Sequence, residues 1–391
     1  MTKLVAFALG LCGALLVVGA QAHHVEPPKP PPITVVRDDG AALKEVLVHY
    51  VPEEEEKVRD TYRDFLGTLS PSTKIDVVVP AGQRAKADAF FTQLGVGSRT
   101  SMVEVSTPLG IWSKDRALVL GDAGDAKGTK TKTTFLIPPR PRAGESGRPQ
   151  DWDIVPAVAA AAPDRFETQE IPIAFDAGDF TVAGKRVLFD ANLYGRNRGR
   201  GHPSAAAFKA RVGALLGRDV VMLGASEGDV PKHHMSMYMA ALDDKTVLVG
   251  DPAAGAKITG PSFMPGERGL ESRELLRADE TAGTQARFDR AAHDLELAGF
   301  KVVRIPTVAF DDKTYFAYTN GVYETRGGKK IAWVPAFAEQ DKGDDPLVAD
   351  LDAAARSVYE QLGYEVRPVA VRRLFTSHGT IGCVVNVLAR E

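Results

Sequence analysis

Short apolar segments recur along this chain at nearly constant intervals. They are Val46-Leu47-Val48, Ala117-Leu118-Val119-Leu120, Val187-Leu188-Phe189, Val247-Leu248-Val249, Tyr315-Phe316-Ala317-Tyr318 and Cys383-Val384-Val385. Measured at Leu47, Leu118, Val187, Val247, Tyr315 and Cys383, the steps are 71, 69, 60, 68 and 68 residues. A fixed period is the mark of repeated supersecondary units, each too small to bury its apolar face alone. Several segments carry charge just before them and Gly, Asp or Asn just after, as in Lys185-Arg186 ahead of Val187 and Gly250-Asp251-Pro252 behind Val249.

Helical patterns lie between the segments. Glu53 to Leu69 opens on acids, which suits a helix N-terminus. Ala205 to Leu215, Ala286 to Leu297 and Leu351 to Leu362 place apolar residues at helical spacing. Two of these run into Gly299-Phe300-Lys301-Val302-Val303 and Gly363-Tyr364-Glu365-Val366, a glycine stop followed by a new strand. The expected fold is one α/β domain of about five similar units over residues 41–391. Two stretches interrupt the units, Lys127 to Asp151 and Gly260 to Glu280, and read as excursions that lie over a cleft or out in solvent.

Residues 1–22 read as an export signal: Lys3, an apolar run from Leu4 to about Gly19, then Ala20-Gln21-Ala22 as a small-x-small cleavage site. The apolar run is short for a transmembrane span, so no stable membrane insertion is expected once it is removed. Leu11 stands before Cys12 where a lipidation signal wants a small residue. Residues 23–40 form a Pro-rich lead-in, with five prolines between His23 and Pro32. The expected location is secreted or periplasmic. A net charge of -3 gives no support to a nucleic-acid or anionic-membrane partner. Oligomeric state is not legible.

No Gly-x-Gly-x-x-Gly follows a strand and no phosphate-binding loop motif occurs, so no nucleotide cofactor is expected. Neither His-Glu-x-x-His nor paired cysteines point to a metal. The polar residues instead gather in four places: Gly110-Ile111-Trp112-Ser113-Lys114-Asp115-Arg116, Phe175-Asp176-Ala177-Gly178-Asp179-Phe180, Gly228 to Tyr238 with His233-His234, and His378-Gly379-Thr380-Ile381-Gly382-Cys383. Each has a plain alternative, such as Asp176 and Asp179 capping a turn about Gly178. Beyond the export signal the chain keeps one cysteine, Cys383, at a glycine-rich turn entering an apolar strand. It is either a nucleophile or a small buried hydrophobe.

In this chain order the four motifs resemble those of the guanidino-group-modifying, or pentein, superfamily of deiminases, dimethylarginine hydrolases and amidinotransferases. The resemblance spans roughly residues 43–390. It implies a five-bladed, pseudo-symmetric α/β propeller with the site in its central channel. It also implies Cys383 as nucleophile, His234 as acid–base, Asp176 as the partner of His234 and Asp115 as the holder of the substrate guanidinium. Trp112, Asp179, Ser236 and Asn320 fall among the substrate-binding positions. The family's His-x-Asp becomes His234-Met235-Ser236 here, and Ser236 cannot balance a positive charge. The implied activity is a cysteine-dependent hydrolase acting on a small guanidino compound or an arginyl peptide. Phe175 to Phe180 is also very close to an amidinotransferase segment. Transferase and non-catalytic guanidino-binding readings therefore stay open.

Overall fold

Strand pairing repeats one pattern five times in the computed structural model, which describes residues 35–120, 132–141, 148–265, 276–338 and 346–391. β1 (Leu43–His49) lies parallel to β2 (Lys74–Pro80), which lies parallel to β3 (Thr100–Val105). β4 (Leu118–Leu120) is antiparallel to β5 (Thr133–Ile137), itself parallel to β6 (Phe166–Glu170). β7 (Thr181–Ala183), β8 (Arg186–Asp190) and β9 (Asp219–Leu223) repeat that order. So do β10 (Met239–Ala241), β11 (Thr246–Asp251) and β12 (Lys301–Pro306). A two-stranded ribbon follows, β13 (Val308–Ala309) with β14 (Tyr315–Phe316). Then come β15 (Val322–Arg326), β16 (Lys329–Ala336) and β17 (Tyr364–Ala370) in the same order. Finally β18 (Asn386–Arg390) pairs antiparallel with β1, giving the first sheet the edge strand that the other four take from just upstream.

The physics of each unit is the same. Parallel neighbours need a long crossover, and here each one carries a helix. Those helices are Glu55–Leu66, Arg84–Gln93, Asp151–Ala161, Ala205–Leu216, Ala282–Leu297 and Pro346–Gln361. Central strands covered on both faces read as unbroken apolar runs, and Val187-Leu188-Phe189 and Val247-Leu248-Val249 are fully buried. Ser204 caps the helix at Ala205 by accepting from Ala207 N, and Gly217 at φ 58° stops it.

Several expectations are corrected by this topology. The equivalent central strands are β1, β5, β8, β11 and β16, so Leu47, Val187 and Val247 were true repeat markers. Leu118 belongs instead to an edge strand and Tyr315 to the ribbon. Lys127 to Asp151 is not only an excursion, because it holds β5. Cys383 lies in a helical turn, Ile381–Val384, and the strand begins at Asn386. Apolar runs of three residues do not distinguish a strand from a buried turn, which is why both were read alike. The tail of the lead-in is part of the body: Val35 bridges to Leu120, Val36 N donates to Val119 O and Asp38 N to Val182 O. The proposed signal, Cys12 and the prolines lie outside the described residues. Among the described residues, no helix is long and apolar enough to cross a membrane.

Because β18 completes the first sheet, its packing should matter to the whole body. Leu388 is buried in a cluster with Leu47, Val78 and Val103. Leu388→Ala is expected to lower unfolding stability by about 2–5 kcal/mol, measured by urea denaturation. An unchanged midpoint would mean that β18 does not hold the sheet.

Candidate active site

The five edge strands are each preceded by a short turn, and the turns carry the polar residues singled out by the sequence. Trp112–Asp115 precedes β4, with Asp115 N donating to Trp112 O. Ala177–Asp179 precedes β7, Met235–Met237 precedes β10 with His234 at its head, and Thr319–Asn320 precedes β15. Ile381–Val384 precedes β18. Each turn touches the next. Ala177 N donates to Asp115 O at 2.8 Å, and His234 packs on Gly178. Thr319 Oγ1 donates to Ser236 O at 3.0 Å, and Gly382 N to Asn320 O at 3.2 Å. Lys114 N then donates to Cys383 O at 3.3 Å, joining the fifth turn to the first.

Cys383 is the free cysteine of the described residues, 5% exposed and lining a cleft of about 890 Å³. Its sulfur accepts from Asn320 Nδ2 at 3.0 Å, and the His234 imidazole is near enough for Cys383 to favour its charged form. Burial by itself disfavours a charged His234. The Cys383 contact and the carboxylates of Asp115 and Asp179 outweigh it, and the imidazolium persists above the ordinary 6.5. Asp176 Oδ2 lies 3.5 Å from His234 Nε2. A Cβ at position 178 would come within 2.6 Å of the His234 ring, so glycine is required for that ring to seat.

His233 stacks on His234 at 4.7 Å and donates from Nε2 to His378 O at 2.7 Å. Burial first, and the neighbouring His234 charge second, push it down to about 3. It is therefore a neutral ring beside a charged one. Asp190 also lines the cleft, accepting from Tyr238 Oη at 2.9 Å. Burial, then Asp179, push its carboxyl up to about 6.

Every cleft acid in the three leading turns already has a basic partner from the chain. Arg148 Nη2 donates to Asp115 Oδ2 at 2.5 Å. Arg116 pairs with Asp176 and stacks on Trp152 at 3.8 Å. Arg196 pairs with Asp179, while its Nη1 sits 3.4 Å from Asp176 Oδ2. Asp179 Oδ2 also accepts from Asp176 N at 2.6 Å, so the turn-capping and site readings of this pair both hold.

Cys383, His234, Asp176, Asp115, Asp179 and Trp112 come together in one cleft. Asn320 does not line it. Its amide instead holds the Cys383 sulfur and, at 2.9 Å, Met237 Sδ. Ser236 is absent from the cleft too and faces a separate small cavity with Asp38, Lys114 and Thr319. In a three-residue-per-turn helix each step rotates about 120°, so a residue two beyond His234 points elsewhere. Arg116, Arg148, Arg196, Asp190 and His378 are cleft residues that the motifs did not assign. Asp190 had a signal, as a polar residue closing an apolar strand. Arg148 had none, lying in a segment read as an excursion. Among the described residues, no cluster of three or more His, Cys, Asp or Glu is placed to hold a metal.

No family model matches the chain, and no curated protein matches it. Solved structures do. It is similar to the C. jejuni agmatine deiminase at 14% identity and a TM-score of 0.60, over 91% of this chain and 95% of that one. A cysteine-to-serine variant of an agmatine deiminase from C. jejuni with substrate bound gives 0.61 at 14% identity, over 90% and 95%. The Enterococcus faecalis agmatine deiminase gives 0.58 at 13% identity, over 92% and 96%. The α/β fold is that of these agmatine deiminases.

Proposed function

We propose that this chain is an exported hydrolase of guanidino groups, acting on arginine or an arginine derivative through a covalent cysteine intermediate on a five-bladed α/β propeller. Five like sheets and five linked turns support the propeller. The Ala20-Gln21-Ala22 pattern supports export. One observation carries the chemical reading: a nucleophile, an acid–base group and its carboxylate meet in one cleft beside a buried carboxylate able to hold a cation.

The chemistry follows from the parts. A guanidinium carbon is resonance-stabilised and resists water, so a strong nucleophile must attack it first. The Cys383 thiolate adds to that carbon and forms a C–S bond. His234, held charged, gives its proton to the departing amine as the C–N bond breaks. A thiouronium remains on sulfur. Neutral His234 then takes a proton from water, and the hydroxide adds to the same carbon. Collapse breaks the C–S bond and the hydroxyl proton passes to solvent or to the freed amine, giving a neutral ureido product, with the sulfur returned as thiolate and His234 recharged. Asp176 orients His234 throughout, and Asp115 pairs with the guanidinium by charged hydrogen bonds.

Incubating the protein with arginine, agmatine, methylated arginines and arginyl peptides tests this. Ureido product with stoichiometric ammonia or amine is expected. Product that appears only when an acceptor amine such as glycine is added would make the chain an amidinotransferase. A non-catalytic reading is favoured by the arginine already on Asp115, and predicts calorimetric binding with no mass change. Gly178→Ala supplies a separate check of the geometry. It should push His234 off its seat and lower turnover more than about tenfold, since loss of a positioned acid–base group costs on the order of 10²–10⁴. Unchanged turnover would remove His234 from the reaction.

A further inference from the structure

The carboxylate assigned to an incoming guanidinium is bound to a guanidinium of the chain itself. Asp115 is 5% exposed on the cleft wall, whereas the side chain of Arg148 is 38% exposed and reaches in from the mouth. Arg148 Nη2 donates to Asp115 Oδ2 at 2.5 Å. The same side chain has a second acid within reach: Nη1 lies 3.2 Å from Asp151 Oδ2. Asp151 is itself buried and shared with Arg116, whose Nη2 is 3.7 Å away. Arg148 thus matches an external guanidinium in charge, planarity and donor pattern, and it stands on the buried acid taken as the guanidinium subsite.

We propose that Arg148 is an intramolecular competitor for the Asp115 subsite, which a guanidinium ligand must displace onto Asp151 in order to bind. The proposal rests on the functional reading above only in taking Asp115 as the guanidinium subsite, and it does not require turnover. Its physical content is a population argument. A ligand sees only the fraction of molecules in which Asp115 is open, and its apparent dissociation constant is raised by the inverse of that fraction. Asp151 lowers the cost of opening, because the displaced arginine keeps that carboxylate. Arg148 therefore sets affinity for cationic guanidino ligands without touching the reacting atoms.

The test uses full-length Cys383→Ser protein, in which no turnover can occur, titrated calorimetrically with methylguanidine. Adding Arg148→Gln should tighten the dissociation constant at least about tenfold, or 1.4 kcal/mol. Adding Asp115→Asn to that double variant should erase the gain. Arg148→Lys, which keeps the charge but not the planar fork, should tighten binding less, and it serves if the glutamine variant does not fold. Unchanged or weaker binding on losing Arg148 overturns the proposal, as does a gain that survives Asp115→Asn. The two readings fail separately. Tighter binding in a protein that turns over no guanidino compound defeats only the hydrolase. Turnover with no change on losing Arg148 defeats only the competitor.

Discussion

Cys383→Ser is expected to reduce turnover of a guanidino substrate by at least about 10³-fold while leaving the fold intact. A serine hydroxyl lacks the nucleophilicity of a thiolate, and covalent catalysis is the step that overcomes guanidinium resonance. The fold should tolerate the change because serine is nearly isosteric and the sulfur already accepts a hydrogen bond from Asn320. Two measurements check it: ammonia release with arginine derivatives, and the mass of native protein quenched in acid during turnover. The native chain should carry a substrate-derived adduct on Cys383 and the variant none. Equal ammonia release from both proteins would sink the cysteine mechanism, and with it the proposed role of His234.

The second large effect concerns His234. Its charged form is favoured above the ordinary 6.5, despite burial, by Cys383, Asp115 and Asp179. Because a raised value belongs to a base, the associated stability is fully present below 6.5 and is lost as pH rises through the raised value. The same sign governs the reaction. As proton donor to the leaving amine, His234 should give kcat/KM a fall on the alkaline side, centred above 6.5. His234→Gln should remove that limb and lower the rate by about 10²–10⁴. Asp179→Asn should move the limb to lower pH, since one of the carboxylates that holds the proton is gone. A pH–rate profile that is the same in all three proteins would assign the proton transfer elsewhere.

The glycine stops after Leu297 and Leu362, and the helices ahead of them, were readable because capping and periodicity are local properties. The candidate site was legible for a related reason. Asp115, Asp176, His234 and Cys383 each lie in a turn just ahead of an edge strand, so the repeat that organises the fold also spaces the site. Register errors arose where locality ends. Tyr315 and Cys383 lie in apolar stretches that pattern alone cannot tell from central strands. Their true places, in a ribbon and a helical turn, follow from which neighbour they pair with.

Asn320 and Ser236 show the limit most clearly. Both stand in site turns and both line the small cavity rather than the cleft, and composition offers no way to say that one of them also holds the Cys383 sulfur. Side-chain direction at a turn depends on its dihedral angles and on what packs behind it. By itself, then, the sequence pointed to about five α/β units and to the acids, histidine and thiol in the turns between them, because chain spacing and local propensity are written residue by residue. Only the tertiary structure decided which of them share the cleft, and that Arg148 reaches from a segment without any motif to Asp115, the acid proposed to hold a ligand. Charge pairing between residues 33 positions apart depends on the path of the chain through space, which no local pattern records.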